Sequence, residues 1–139
     1  MINNVYTLRD IKELTLNNYN GEEIILHENN KLEKLTVKSN TLKTITNGEL
    51  LTHLTVNKIS DVSLFKNLTF LKIEGNKNIE EVCNLPNLVN LYAHSSFLKR
   101  IYNLESIKNI ECPFSSVNYI GNVPKLKRLI ACRTFISDV

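Results

Sequence analysis

The chain is poor in the residues that organise several common protein classes. It has no tryptophan, four glycines and three prolines, which excludes collagen-like and Gly/Pro-rich low-complexity structure. Its three cysteines include no Cys-x-x-Cys spacing, so neither a disulfide framework nor a zinc site is predicted. No apolar run approaches the roughly 18 residues that a membrane span requires. The first residues lack the basic flank and apolar core of a secretory signal peptide.

The remaining composition is that of a folded protein. Of the 139 residues, 42% are hydrophobic, and 17 basic side chains face 14 acidic ones, for a net charge of +3. This length predicts one domain over residues 1–139. The lack of a signal peptide and of a spanning segment leads us to expect a cytoplasmic protein that does not bind membranes, with its cysteines reduced.

A pattern of aliphatic residues repeats along the chain in steps of 17 to 21 residues. Each copy has one aliphatic residue, another three positions later and a third two positions after that, followed by a small polar residue and more aliphatic residues. The seven copies begin at Ile11, Leu32, Leu51, Leu68, Leu88, Ile107 and Leu126. The small polar position holds Asn40, Asn76, Ser96, Ser115 and Thr134, and the third copy lacks it. Such self-similarity predicts stacked units that share a continuous core.

Each part of the repeat predicts a local structure. The second and third aliphatic positions alternate with other residues, which indicates a short strand with its aliphatic side chains pointing inward. The small polar residue predicts a tight turn, where Asn is best suited to bridge to the neighbouring unit. The return segment is too short for a full helix. We therefore predict a mainly β repeat solenoid with one short parallel strand per unit and loops or short 3₁₀ turns on the other side.

The pattern resembles a leucine-rich repeat of the short class, about 19–20 residues long. The resemblance covers nearly the whole chain and includes the Leu-Pro and Val-Pro pairs at residues 85–86 and 123–124. That class occurs in bacterial effector proteins and in proteins of large DNA viruses. The resemblance implies a non-catalytic binding role, with the host cytosol as the location of a viral or effector protein. It implies no catalytic residues.

The outward side chains of the later units form the predicted partner-binding site. Thr15, Thr36 and Thr55 begin the middle outward column, and we interpret them as structural because β-branched residues suit a pleated surface. The column then changes to aromatic and charged residues. Phe70 and Tyr92 either anchor a partner or only cover each other across the strands. The candidate partner-binding residues are Phe70, Lys72, Tyr92, His94 and Glu111.

The sequence predicts no enzyme, metal site or cofactor. His53 and His94 lie two units apart, too far to share an ion directly, and we interpret both as solvated. No phosphate-binding loop, HExxH or EF-hand pattern is present. Two basic patches, at residues 31–43 and 99–133, raise nucleic-acid binding as a third and weaker hypothesis, but acidic residues interrupt them.

The two ends of the repeat array carry a second functional hypothesis. Residues 1–10, with Val5 and Leu8, resemble part of a unit and predict a partial N-terminal cap. The last strand is expected to leave an open edge, because the chain as given stops at Val139, partway through a unit. The alternative to partner binding is therefore a self-assembling module, a homodimer through the C-terminal edge. Its candidate residues are Ile130, Cys132 and Phe135.

Overall fold

The computed structural model describes residues 10–136 and consists of stacked β units. Seven parallel strands form one sheet, which we call the front sheet. Its strands, in spatial order, are β1 (Glu13–Tyr19), β3 (Lys34–Ser39), β5 (His53–Val56), β6 (Phe70–Lys72), β8 (Asn90–Tyr92), β10 (Asn109–Glu111) and β12 (Arg128–Ile130). The spatial order follows the chain order, as in a solenoid. The prediction of a mainly β repeat solenoid is confirmed.

The repeat puts equivalent residues in register along the front sheet. Leu35 pairs with Leu54, and Leu54 pairs with Leu71, so one inward column runs through the stack. The same column continues through Leu91 and Ile110, both fully buried. Fixed spacing in sequence produces this register because each unit adds one strand at the same height.

The other side of the solenoid differs from the expected loops and 3₁₀ turns. It contains short parallel strands, and residues 10–136 include neither an α-helix nor a 3₁₀ helix. One pair is β2 (Glu23–Ile25) with β4 (Thr44–Thr46), and a separate sheet contains β7 (Glu81–Cys83), β9 (Arg100–Tyr102) and β11 (Tyr119–Gly121). These strands form because return segments of nearly equal length bring matching backbone groups opposite each other.

The short third unit separates the two groups of back strands. Its return segment, residues 58–65, has no strand, so no back strand lies between β4 and β7 in the chain. Val62 and Phe65 still point into the core and are 2% and 5% exposed. The unit therefore contributes apolar side chains while its backbone follows turns, as its lack of a small polar residue and its shorter step require.

The turns after the front strands are held by buried polar side chains. Asn76 donates from Nδ2 to the carbonyl oxygen of Ile59 in the preceding unit at 3.0 Å, which is the bridging role expected for asparagine. In the second unit the predicted residue is wrong. Asn40 is exposed, and the buried Ser39 instead donates to the carbonyl oxygen of Tyr19 at 2.8 Å. The repeat pattern therefore predicted the position of this turn to within one residue.

A second set of asparagines was missed by the repeat analysis. Asn84, Asn103 and Asn122 end the back strands with left-handed backbone, at φ values of 55°, 53° and 49°. Nδ2 of Asn103 donates to Oδ1 of Asn84 at 3.2 Å, and Nδ2 of Asn122 donates to Oδ1 of Asn103 at 2.8 Å. Asparagine tolerates this backbone better than most residues, so one residue type both turns the chain and links neighbouring units.

The predicted N-terminal cap at residues 1–10 lies almost entirely outside the described residues, as does Val139. Within residues 10–136, no helix is long and apolar enough to cross a membrane.

Candidate functional site

The five predicted partner-binding residues lie together on the outer face of the front sheet. Phe70 and Lys72 begin and end β6, Tyr92 ends β8, Glu111 ends β10, and His94 follows β8 by two residues. Lys72 is in register with Tyr92, and Tyr92 with Glu111. Their side chains point outward because the intervening residues of each strand fill the core. The structure thus groups all five on or just after three adjacent strands.

Phe70 is the middle ring of a three-membered aromatic stack. Its ring centroid lies 5.5 Å from that of His53, with the planes 20° apart, and 5.4 Å from that of Tyr92, with the planes 39° apart. His53 was interpreted from the sequence as solvated, but it is half-buried against Phe70. In-register strands bring the rings together in this way, so the Phe70 ring has another ring on each side.

Beside the aromatic stack, five charged or ionisable side chains form a chain across four units, which we call the ionic row. Lys72 Nζ lies 3.6 Å from Glu74 Oε2, and His94 Nδ1 lies 3.7 Å from Glu74 Oε1. His94 Nε2 lies 3.3 Å from Glu111 Oε2, and Arg128 lies 3.3 Å from Glu111 Oε1. The side chain of Glu111 is only 17% exposed, and it joins His94 to Arg128.

An amide pair completes this face. Nδ2 of Asn109 donates to Oδ1 of Asn90 at 2.7 Å, and Asn90 is in register with Phe70. The aromatic stack, the ionic row and the amide pair share the outer face of five neighbouring front strands. We call this combined surface the front patch.

Sequence reasoning missed five residues of the front patch: His53, Glu74, Asn90, Asn109 and Arg128. All five occupy outward positions of the repeat, and the signal that connects them is the strand spacing of about 4.8 Å. Residues at equal or adjacent repeat positions in neighbouring units are within side-chain reach. A rule based on this spacing would have placed Glu74 beside His94 and Arg128 beside Glu111.

Among residues 10–136, the side chains of the front patch are arranged for contact with another surface and include no nucleophile hydrogen-bonded to a base. His94 lies between two carboxylates with no Ser or Cys hydrogen-bonded to it among the bonds of residues 10–136. Within the same residues, no cluster of three or more His, Cys, Asp or Glu side chains is arranged to hold a metal ion. A rigid sheet with apolar rings, paired charges and amides is instead suited to recognising another surface.

Three cations in each of the two basic patches are paired with acids of the preceding unit. Lys34 lies 3.3 Å from Glu13 and Lys43 lies 3.1 Å from Glu22. Lys99 hydrogen-bonds Glu80 at 2.9 Å, and this bond and the ammonium charge hold the pKa of the Glu80 carboxyl below its usual value. Further cross-unit pairs are Lys31 with Asp10, Arg100 with Glu81 and Arg128 with Glu111. Such pairing interrupts the continuous positive groove that nucleic acid requires.

The predicted self-association residues lie at the last described unit but point in different directions. Ile130 is an outward residue in register with Glu111. Cys132 is exposed just after β12, and Phe135 is 74% exposed in the following turn. The inward residues here are Leu126, Leu129 and Ala131, which are only partly buried, whereas their counterparts one unit earlier are fully buried.

The three cysteines occupy three different positions of the repeat. Cys112 is buried in the inward column, Cys83 is half-buried on a back strand, and Cys132 is exposed, and all three are free thiols. Burial raises the pKa of the Cys112 thiol to about 11. This thiol therefore fills the core and is a poor nucleophile.

Comparison with models of known protein families, with curated proteins and with solved structures found no match to this chain.

Proposed function

We propose that this chain is a non-catalytic protein-binding module that recognises another protein through the front patch. The observation that carries the proposal is the aromatic stack of His53, Phe70 and Tyr92 on the solvent side of a sheet whose opposite side forms the core. Aromatic and arginine side chains are enriched among the residues that dominate binding energy. The adjoining ionic row supplies directional contacts of both signs.

The proposal includes membership of the short leucine-rich-repeat class and a cytosolic setting. The spacing of the inward aliphatic residues and the buried turn residue Asn76 support the class. The free thiols of Cys83, Cys112 and Cys132 support a reducing compartment. A role as an effector or host-interaction protein rests on the resemblance to that repeat class.

The composition of the front patch favours a protein partner over a nucleic acid. Bases bind single-strand proteins by stacking on open aromatic faces. Here Phe70 has a ring on both sides, and its two faces are occupied by His53 and Tyr92. Lys72 and Arg128 are each paired with a carboxylate in the ionic row. A protein can use the exposed ring edges and displace paired charges with its own.

The test is affinity capture from extracts with the immobilised full chain, followed by measurement of binding to the recovered protein. We expect Phe70→Ala and Tyr92→Ala each to weaken that binding by at least tenfold, as hot-spot residues do. Leu50→Ala is the matched control, because Leu50 is 54% exposed and lies outside the front patch. Equal losses in all three variants, or none, would remove the proposal.

Salt distinguishes the remaining hypotheses. Binding that falls steeply with added salt and survives Phe70→Ala would favour nucleic acid. Weak salt dependence combined with loss on Tyr92→Ala would favour the protein partner.

A second candidate function, self-association through the C-terminal edge, is favoured by one observation. Leu129 is only partly buried, although its register partner Ile110 is fully buried. Light scattering over a wide concentration range tests this candidate. A mass that rises from monomer to dimer, and that stays monomeric in Ile130→Lys, would support it. A constant monomer mass would exclude it.

A further inference from the structure

Three of the five phenylalanines of the chain lie exposed on one ridge of the solenoid. The ridge consists of four stacked turns that leave the front sheet, at residues 75–78, 95–97, 113–116 and 132–135. Phe97 is 49% exposed, Phe114 57% and Phe135 74%. The other two phenylalanines are used inside the fold, since Phe65 is buried and Phe70 belongs to the aromatic stack. We call these four turns the Phe ridge.

The backbone of the Phe ridge is hydrogen-bonded between neighbouring units. The backbone N–H of Phe97 donates to Asn76 at 2.9 Å, that of Phe114 donates to Cys132 at 3.0 Å, and that of Phe135 donates to Val117 at 3.0 Å. Each bond joins one unit to its neighbour. The three rings are therefore held outward on a hydrogen-bonded scaffold.

The backbone at Phe114 adds a second observation. Its φ is 57°, in the left-handed region where a bulky residue is unfavourable by roughly 1–2 kcal/mol. Gly75 takes the equivalent position in the fourth unit, with a φ of 69°. Phe114 is strained yet more than half exposed, so folding gains little from a phenylalanine at this position. Strain without burial points to a role outside the fold.

Two cations lie beside the rings of the Phe ridge. Lys77 Nζ lies 5.5 Å from the ring centroid of Phe97, and the guanidinium carbon of Arg133 lies 5.7 Å from that of Phe114. Among residues 10–136, neither cation forms an ion pair, whereas Lys99, Arg100 and Arg128 each bind a carboxylate of the preceding unit. The four turns contain no acidic residue. The ridge is thus apolar and positively charged together.

We propose that the Phe ridge binds the surface of an anionic lipid bilayer. Phenylalanine has no polar group, so a ring that enters the acyl boundary leaves no hydrogen bond unmade. Lys77 and Arg133 lie beside the rings, where each can form an ion pair with a lipid phosphate while the rings insert. A row of outward turns needs a matching groove on a protein, but a lipid surface deforms around it.

The Phe ridge shares no residue with the front patch. Binding to a bilayer surface also does not require a membrane-spanning segment. The expectation that the protein does not bind membranes was based on the absence of a long apolar run, which excludes crossing the bilayer but does not address its surface. A chain bound through its turns leaves the front sheet open to a protein partner.

The test is co-sedimentation of the full chain with vesicles of phosphatidylcholine alone or mixed with phosphatidylserine. We expect binding to the mixed vesicles only. Phe97→Ser and Phe114→Ser should each lower the partition coefficient by about tenfold, because each removes one inserting ring. Leu64→Ser is the matched control, since Leu64 is 72% exposed and lies off the ridge, and it should bind as the wild type does.

A double variant, Lys77→Gln with Arg133→Gln, tests the role of charge. Its partition coefficient on the mixed vesicles should be several-fold lower than that of the wild type, and its binding should depend less on salt. Urea unfolding of every variant verifies that the solenoid is intact, and Phe114→Ser is expected to fold because it removes a strained bulky residue.

Three results would overturn the proposal. They are no binding to mixed vesicles, equal binding by the wild type and the Phe97→Ser and Phe114→Ser variants, and an equal loss in Leu64→Ser. A loss of protein capture in the ridge variants without any vesicle binding would assign the ridge to a protein interface instead.

Discussion

Nδ2 of Asn76 donates a hydrogen bond of 3.0 Å to the carbonyl oxygen of Ile59, one unit earlier in the solenoid. Oδ1 of the same side chain accepts from the backbone N–H groups of Asn78 at 2.8 Å and Ile79 at 2.9 Å. Asn76 is fully buried, so no water replaces these three bonds if the amide is removed. This side chain joins the irregular third unit to the fourth.

Asn76→Ala should therefore lower the free energy of unfolding by about 2–3 kcal/mol, the range for leaving buried polar groups unpaired. Urea unfolding followed by circular dichroism measures the change. Asn78→Ala is the control, because Asn78 is exposed and its Nδ2 makes one hydrogen bond, to Lys58. Similar losses for the two variants would show that the buried amide has no special role.

Backbone conformation gives an independent pair of predictions. A Cβ added at Gly75 would meet no atom within 4 Å, but the φ there is 69°. Gly75→Ala should thus lower the free energy of unfolding by about 1 kcal/mol through backbone strain alone. Phe114→Asn, at the equivalent position, should raise it by about 0.5 kcal/mol. The two variants should move the urea midpoint in opposite directions, and a shift of the same sign in both would contradict the assignment.

The buried Cys112 thiol should make the folded protein less stable at alkaline pH. Its pKa rises from 9.0 to about 11 on folding, so between these values the unfolded chain has lost a proton that the folded chain retains. The free energy of unfolding should then decrease by about 1.4 kcal/mol per pH unit from pH 9 to pH 11 because of this group, with no contribution below pH 9.

The measurement compares the wild type with Cys112→Ala across that pH range. The difference between their slopes isolates the thiol, because Tyr19 and Tyr102, whose pKa values are also raised, are present in both chains. Burial is the main cause for Tyr19, and a hydrogen bond with Cys83 is the main cause for Tyr102. Parallel pH curves would mean that Cys112 ionises as readily in the folded chain as in the unfolded one.

Glu111 separates binding from stability in the front patch. Its carboxylate contacts His94 and Arg128, whose side chains are 37% and 61% exposed, so the ion pairs are partly screened by solvent. Glu111→Gln should change the free energy of unfolding by less than about 1 kcal/mol. Its effect on partner binding should be larger, because both cations lose the group that positions them. Calorimetric titration with the captured partner, beside urea unfolding, would check both parts.

Much of the fold follows from local sequence. The spacing of Leu35, Leu54 and Leu71 determines one inward column, since each unit adds one strand and alternation decides which face a side chain takes. Identical columns can form only if the strands are parallel and in register. The clustering of Phe70, Tyr92 and Glu111 on one face follows from the same argument, so the sequence could predict the place of the site.

Other features were decided by contacts between units. The sequence identified Asn40 as the turn residue of the second unit, but only the stacked turns show that Ser39 reaches the carbonyl oxygen of Tyr19. A one-residue difference changes which side chain is buried, and local pattern does not resolve it. The back strands likewise appear only when neighbouring return segments lie side by side.

The sequence by itself determined the periodic core, the direction of the strands and the face that carries the aromatic residues, because these depend on the repeat spacing between units and on side-chain alternation within each unit. Only the tertiary structure decided the pairing of Glu74 and Arg128 with their neighbours, the insertion of His53 into the aromatic stack and the exposure of Phe97 and Phe114. Each of these depends on distances between side chains about 17 to 20 residues apart in sequence, and stacking, rather than local propensity, fixes such distances.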